Sequence, residues 1–319
     1  MRKMFRDELF VPEKLGSRTK LVLDMVEKEI LNIKPDADAK KLAKDVLTNA
    51  GVKFKEDKNN SEKNAAAEAL FFMSTAQAKA LATIAVQSVN GEIDTKKDKK
   101  KCLDALKSSP SIDIALFGRM VASEPLLNCD AAAQVAHSIS THAVQNEYDY
   151  FTAVDDLSPD DTSGAGHLGT VEFNSSTLYR YANVNLLELA SSLGEMDASA
   201  AARGFVEAFV RSMPTGKQNT FANRTLPSMV YVTLRRDQPV NLCGAFEKPV
   251  SSKNGYVEQS VKNMKEYAER VYRDYAEEPV CALGIGEALS SMAEVMPLNQ
   301  LLDRLKVEVE RQLVDGGEK

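Results

Sequence analysis

Residues 177–186 read "TLYRYANVNL", and the period of that stretch sets the fold class. Tyr179, Tyr181, Asn183 and Asn185 fall on one side; Leu178, Ala182, Val184 and Leu186 fall on the other. That is the alternation of a half-buried strand. "PSMVYVTLRR" at 227–236 repeats it, with Val230, Val232 and Leu234 on one face. Upstream, "SIDIALFGRM" at 111–120 reads as a short apolar strand closing on Gly118. "QVAHSIST" at 134–141 is expected to be another, from its β-branched and hydroxyl residues.

Working outward, the remaining periodic segments are helical. "PDADAKKLAKDVLTNAG" at 35–51 has an Asp cap, an apolar stripe at Leu42, Val46 and Leu47, and Gly51 as its stop. The alanine-rich "SEKNAAAEALFFMSTAQAKALATIAVQSVNG" at 61–91 reads as one long helix. Further helices are expected over 198–212, 255–275 and 298–313. The order is helices, three strands, helix, strand, helices. An α+β fold with helices on one face of a sheet is the economical solution. The helical block at 21–107 would be an insertion or flanking lobe. The stretch 144–176 is acidic and holds "PDDTSGAGHLG", turn chemistry that predicts a projecting loop or hairpin.

Charge is unevenly spread. The chain of 319 residues has a formal net charge of -6. From Val121 to Tyr179 there are nine acids and no Lys or Arg, so the rest is slightly basic. The window Arg211–Arg236 carries five basic residues and no acid. Such a window fits contact with a long anion, for which nucleic acid is the best candidate, or a loop and strand that lack carboxylates by chance. Within it, "PTGKQNTF" offers Gly216 for close backbone approach, Lys217 for a phosphate, and Gln218 and Asn219 for amide contacts; an ordinary surface loop is the alternative. Phe151 and Met120 read as core by default, and the Tyr179/Tyr181 face as packing or base stacking. No run of about eighteen apolar residues occurs. The charged start "MRKMFRDELF" has no signal-peptide core. Four dispersed cysteines suggest no disulfide framework, so a cytoplasmic location is expected. Asp155 and Asp156 lie near His142 and His167 in sequence and could hold a divalent metal that activates water. Their spacing matches no known motif, and no GxSxG, P-loop or HExxH is present.

Five motifs together carry a family resemblance: "DIALFGRM", "AHSISTH", "YDYFTAVDDL", "HLGTVEFNSSTLYRYANVNL" and "PTGKQNTFANRTLP". In that order they resemble the CasC-type backbone subunit of Cascade, the RNA-guided surveillance complex of type I-E CRISPR systems. The match is dense from about Asp113 to Pro249. The resemblance implies an RRM-like (ferredoxin-like) palm over 1–20, 110–143 and 177–319, a helical fingers insertion over 21–109, and a thumb hairpin over 144–176. It implies copies stacked head to tail along a guide crRNA, each thumb reaching its neighbour and displacing a nucleotide. Other Cascade subunits and, through the guide, a target DNA strand would be partners in antiviral defence; no membrane, cofactor, metal or catalysis is expected. Phe151, Thr152 and Leu168 map to the thumb wedge, Met120 to the palm facing the displaced nucleotide, and Lys217 and Gln218 to the RNA backbone. Arg2 and Lys3 are what remains of an N-terminal phosphate-contacting segment. The family pattern opens on a palm strand absent here, so an incomplete palm and poor folding of the isolated chain are expected. The acidic thumb would pair with basic surface on the next copy. A metal-dependent endoribonuclease with Asp155 or Asp156 at its centre is the alternative, because related backbone subunits cut RNA from a thumb acid.

Overall fold

The computed structural model describes residues 1–55, 66–94, 97–153, 157 and 167–316. The chain opens with a short turn of helix, α1 (Arg2–Met4), which widens into a π turn at Phe5–Leu9. Strand β1 (Gly16–Thr19) follows. Then come α2 (Val22–Ile33) and α3 (Ala39–Asn49), the latter capped as expected by Asp38, whose carboxylate accepts from Lys41 N. Strand β2 (Phe71–Ser74) returns antiparallel to β1. The single helix expected over 61–91 is corrected here. Helix α4 (Thr75–Val89) starts only at Thr75, where Ser74 and Gln77 form a capping box. The wholly buried "FFMS" before it is strand. A short apolar run carries no period that tells strand from buried helix. With α5 (Lys99–Lys107) these elements enclose a first core of Val22, Leu23, Val26, Ile30, Val46, Leu47, Met73, Leu81 and Leu106.

The same ambiguity runs the other way at 111–120. The expected strand is a helix, α6 (Ile112–Phe117). Asp113 decides it: its Oδ1 accepts from Ser111 Oγ at 2.7 Å and from Gly16 N at 2.8 Å, at zero exposure. The carboxylate thereby binds the first turn to β1. Gly118, at φ 73°, stops the helix.

Beyond α6 the chain climbs as β3 (Ala133–Val135), β4 (Ile139–Ser140) and β5 (Glu147–Ala153). It returns as β6 (His167–Phe173), β7 (Leu178–Tyr179) and β8 (Ala182–Val184). The pairings β3–β8, β4–β7 and β5–β6 are all antiparallel, so the six strands form one interrupted hairpin. The outgoing chain carries the excess at each break. Residues 136–138 face 180–181, and 141–146 face 174–177. Extra residues on one strand bend and twist a ladder. The alternation in "TLYRYANVNL" therefore holds only above the first break. Ala182, Val184 and Leu186 enter a core as expected, but Leu178 is 53% exposed and Tyr179 turns inward onto Phe246.

Helices α7 (Leu186–Leu193) and α8 (Glu195–Arg211) follow, then one turn, α9 (Gln218–Phe221). Strand β9 (Val230–Leu234), helix α10 (Val257–Asp274), strands β10 (Cys281–Ile285) and β11 (Glu294–Val295) and helix α11 (Leu298–Gly316) complete the chain. Strand β10 lies between β9, antiparallel, and β11, parallel. Val232, Leu234 and Leu283 face the second core, shared with Phe205 of α8 and Leu301, Leu305 and Val309 of α11. Tyr231 and Val295 face a third, with Phe246 and with Met264, Ala268 and Tyr272 of α10. Helices thus cover both faces of this sheet, not one as expected; Tyr231 supplies the second apolar face. Among the described residues this is the widest sheet, at three strands.

Candidate nucleic-acid interface

The carboxylate-free window is less free in space than in sequence. Arg211 pairs with Glu207 at 2.6 Å and Glu8 at 3.4 Å. Arg235 pairs with Asp237 at 2.9 Å, and Arg236 donates to Gln312 Oε1 at 2.8 Å. Partners from outside the window occupy these cations: Glu207 on the same helix as Arg211, Glu8 and Gln312 from other elements, and Asp237 one residue past its end. Lys217 stays exposed at the apex of the loop. It sits in the left-handed region at φ 62°, and with Ala222 at φ 48° it brackets α9. Gln218 is half-buried, its Oε1 accepting from Arg224 at 3.3 Å. The Phe221 ring packs on Phe173 of β6 with centroids 5.2 Å apart. That contact joins the "PTGKQNTF" loop to the hairpin base, a junction invisible in the sequence.

Every residue of β5 is exposed. Directly opposed residues of an antiparallel pair share a face. Thr152 opposes Leu168, and Tyr150 opposes Thr170, so Tyr148, Tyr150, Thr152 and Leu168 share one face. Phe151 opposes Gly169 and so lies on the other face, with Val171 and Phe173. A Cβ at Gly169 would sit 2.5 Å from Phe151 Cζ; the glycine is what lets the ring lie across the strand. Phe151 is 42% and Leu168 56% exposed. Met120, just past Gly118, is 83% exposed. The default core reading of Met120 and Phe151 is therefore corrected. Met120 stands on the connection after α6, separate in sequence from both hairpin faces.

At the N-terminus the structure gathers cations that sequence spacing cannot relate. Arg2 lies over the Phe72 ring at 4.3 Å and Arg18 over the same ring at 5.4 Å. Arg6 donates to Gly16 O at 2.6 Å. Burial, and then the charges of Arg6 and Arg18, lower Arg2 from the usual guanidinium value, while Asp113 acts to raise it. Burial and then Arg180 lower the Met1 amine, and Arg180 stacks on Phe209 at 4.4 Å. Arg2 Nε lies 3.8 Å from Asp113 Oδ2, too far for a hydrogen bond. Arg2 Nε and Nη2 and Asp113 Oδ2 are buried without hydrogen-bond partners. Lys3 is exposed beside them. Of this cluster the sequence pointed to Arg2 and Lys3; Arg6, Arg18 and Arg180 join through β1, β2 and the strand break.

The metal reading gains no geometry. Both ring nitrogens of His142 are in hydrogen-bonding contact with backbone, Nε2 with Thr177 N at 3.1 Å and Nδ1 with Ala143 O at 2.8 Å. His167 sits against Phe151, ring centroids 5.7 Å apart. Among the described residues no group of three or more His, Cys, Asp or Glu could hold a metal ion. Asp155 and Asp156 lie outside the described residues. Among the described residues no helix is long and apolar enough to cross a membrane.

The profile of the CT1975-like protein family matches residues 1–306. No curated protein matches the sequence significantly. Among solved structures, a chain of a "CRISPR RNA-guided surveillance complex, pre-nicking" superposes with a TM-score of 0.74 at 28% identity, covering 93% of this chain and 85% of that one. A chain of a "CRISPR RNA-guided surveillance complex" gives a TM-score of 0.57 at 33% identity over 62% of this chain and 78% of that one. The chain belongs to the CT1975-like protein family, the CasC-type family of CRISPR-associated proteins that its motif order resembles.

Proposed function

We propose that this chain is a non-catalytic guide-RNA-binding backbone subunit of a type I-E Cascade complex in the cytoplasm, polymerising head to tail along the crRNA. The observation that carries the reading is its likeness, along most of its length, to chains of RNA-guided surveillance complexes. The N-terminal cations and the Lys217 loop supply phosphate contacts. Phe151 supplies a ring for base stacking, worth about 1–3 kcal/mol, and Thr152, Leu168 and Met120 supply apolar surface for an unstacked base. The exposed hairpin is the arm that meets the next copy, since a lone two-stranded ribbon gains little stability in water. Residues 1–20, 110–143 and 177–319 act as an RRM-like palm, 21–109 as fingers and 144–176 as thumb. Other Cascade subunits are further partners, and the target DNA strand joins through the guide.

Binding is then governed by phosphate, and log affinity falls with log salt by about 0.7 per phosphate contacted on single strands. Sequence preference is small, because pairing with the guide carries specificity. The test is titration of the chain onto guides of unrelated sequence at several salt concentrations. Equal affinities with a steep salt slope support the reading; strong preference for one sequence overturns it. The assembled protein is also incubated with labelled complementary RNA and Mg²⁺. Regularly spaced cuts that vanish in Asp155→Ala replace it with the ribonuclease.

A further inference from the structure

The root of the hairpin is more firmly tied than the hairpin it carries. Thr141 is 2% exposed. Its N–H donates to Thr177 O at 2.9 Å, and its carbonyl accepts from Val250 N at 2.9 Å. Its Oγ1 lies 2.9 Å from Ser260 Oγ on α10. The next residue, His142, stacks on Tyr256 with centroids 3.7 Å apart and planes at 12°. The Thr177 N–H donates to His142 Nε2 at 3.1 Å, and Nδ1 stands 2.8 Å from Ala143 O. A backbone N–H can only donate and a carbonyl can only accept. Nε2 must then be bare and Nδ1 must carry the proton. One neutral tautomer meets both demands. The protonated ring, with two donors and no acceptor, meets one and sets N–H against N–H.

We propose that His142 is a positioning residue: a tautomer-specific clamp across the second break of the hairpin, which fixes how the arm leaves the start of α10 and which acid releases. The place is apt, since 141–146 face only 174–177 there and the ladder cannot set its own direction. Tyr256 of the α10 entrance is the titratable side chain packed on the ring. Ser140, Thr141, Thr177 and Ser260 around it carry no charge, and among the described residues no carboxylate pairs with the ring. Only the consequence for guide binding rests on the RNA reading; the clamp itself does not.

The full chain labelled with ¹⁵N-histidine has three histidines, and the His142 signals are those missing from His142→Gln. At pH 8 the expected spectrum has Nδ1 protonated and Nε2 bare; the other tautomer, or a mixture, overturns the proposal. Glutamine keeps an acceptor at the Nε2 position without titrating, whereas His142→Phe keeps the stack without the acceptor. At fixed pH, exchange of the Thr177 amide, which donates to His142 Nε2, stays protected in His142→Gln and quickens about five-fold in His142→Phe. Between about pH 8 and 5, the interval in which histidines charge, wild type loses about five-fold more guide affinity than His142→Gln. Identical pH profiles for those two proteins overturn the proposal, even where His142→Phe fails to fold. If wild type binds no RNA at any pH, the RNA reading falls, and the tautomer and exchange measurements still decide the clamp.

Discussion

Arg235 donates from Nε and Nη2 to the two oxygens of Asp237, at 3.0 and 2.9 Å, and to the carbonyls of Gln238 and Glu277. Its side chain is 6% exposed and faces the Tyr272 ring at 4.8 Å. The hydrogen bond from Arg235 holds the Asp237 carboxyl well below the usual range, against the opposing effect of burial. A carboxyl whose folded value is depressed stabilises above its unfolded value, about pH 4, and the gain drains away as pH falls toward the folded value. Asp237→Asn should therefore lower unfolding free energy at pH 7 by about 1.5–3 kcal/mol. The gap from wild type should be smaller at pH 3 than at pH 7, and denaturant melts at the two values check this. Lys217 makes the contrasting case. It is exposed and contributes to none of the three cores. Lys217→Ala should leave stability unchanged and reduce the log–log salt slope of guide binding by about 0.7 or less. At this scale the sequence was legible for Lys217, which carries its own charge. It was misleading for Arg211 and Arg235, whose partners come from Glu8 and Glu207 and from just past the window's end.

Elements with a period were readable, and those without one were not. The cap at Asp38 and the stripes of α3, α8, α10 and α11 use local chemistry that a linear sequence displays. Helix α6 and strand β2 are short, apolar and buried nearly all round, so no alternation exists to read. What distinguishes α6 is the Asp113 bond to Gly16, which lies 97 residues away. Gly118 shows how tightly that helix is terminated: a Cβ there would lie 2.8 Å from Cys129 O, at φ 73°. Gly118→Ala should cost about 1–3 kcal/mol by equilibrium denaturation. The outer hairpin predicts the reverse. All of β5 is exposed, and β5 and β6 supply no residue to the buried cores. Replacing residues 147–173 by a short Gly-Ser turn should leave the melting temperature within a few degrees while guide-dependent multimers are lost. A wholesale loss of folding would show that the arm is part of the body.

For the whole molecule, the α+β class was legible from mixed periods, and the structure pairs β5 with β6 inside the stretch expected to be a loop or hairpin. The two-sided cover of the β9–β10–β11 sheet and the gathering of Arg2, Arg6, Arg18 and Arg180 were not legible. Both arise from contacts between segments far apart in the chain, such as Met1 and Arg180. The central claim is that copies of the chain stack along one guide. It is tested by weighing single complexes formed on guide RNAs of increasing length at low salt. The account predicts mass rising in steps of one 35.0 kDa chain as each added length of guide admits another copy. A mass that stays at one chain however long the RNA, or no complex at all, would contradict it.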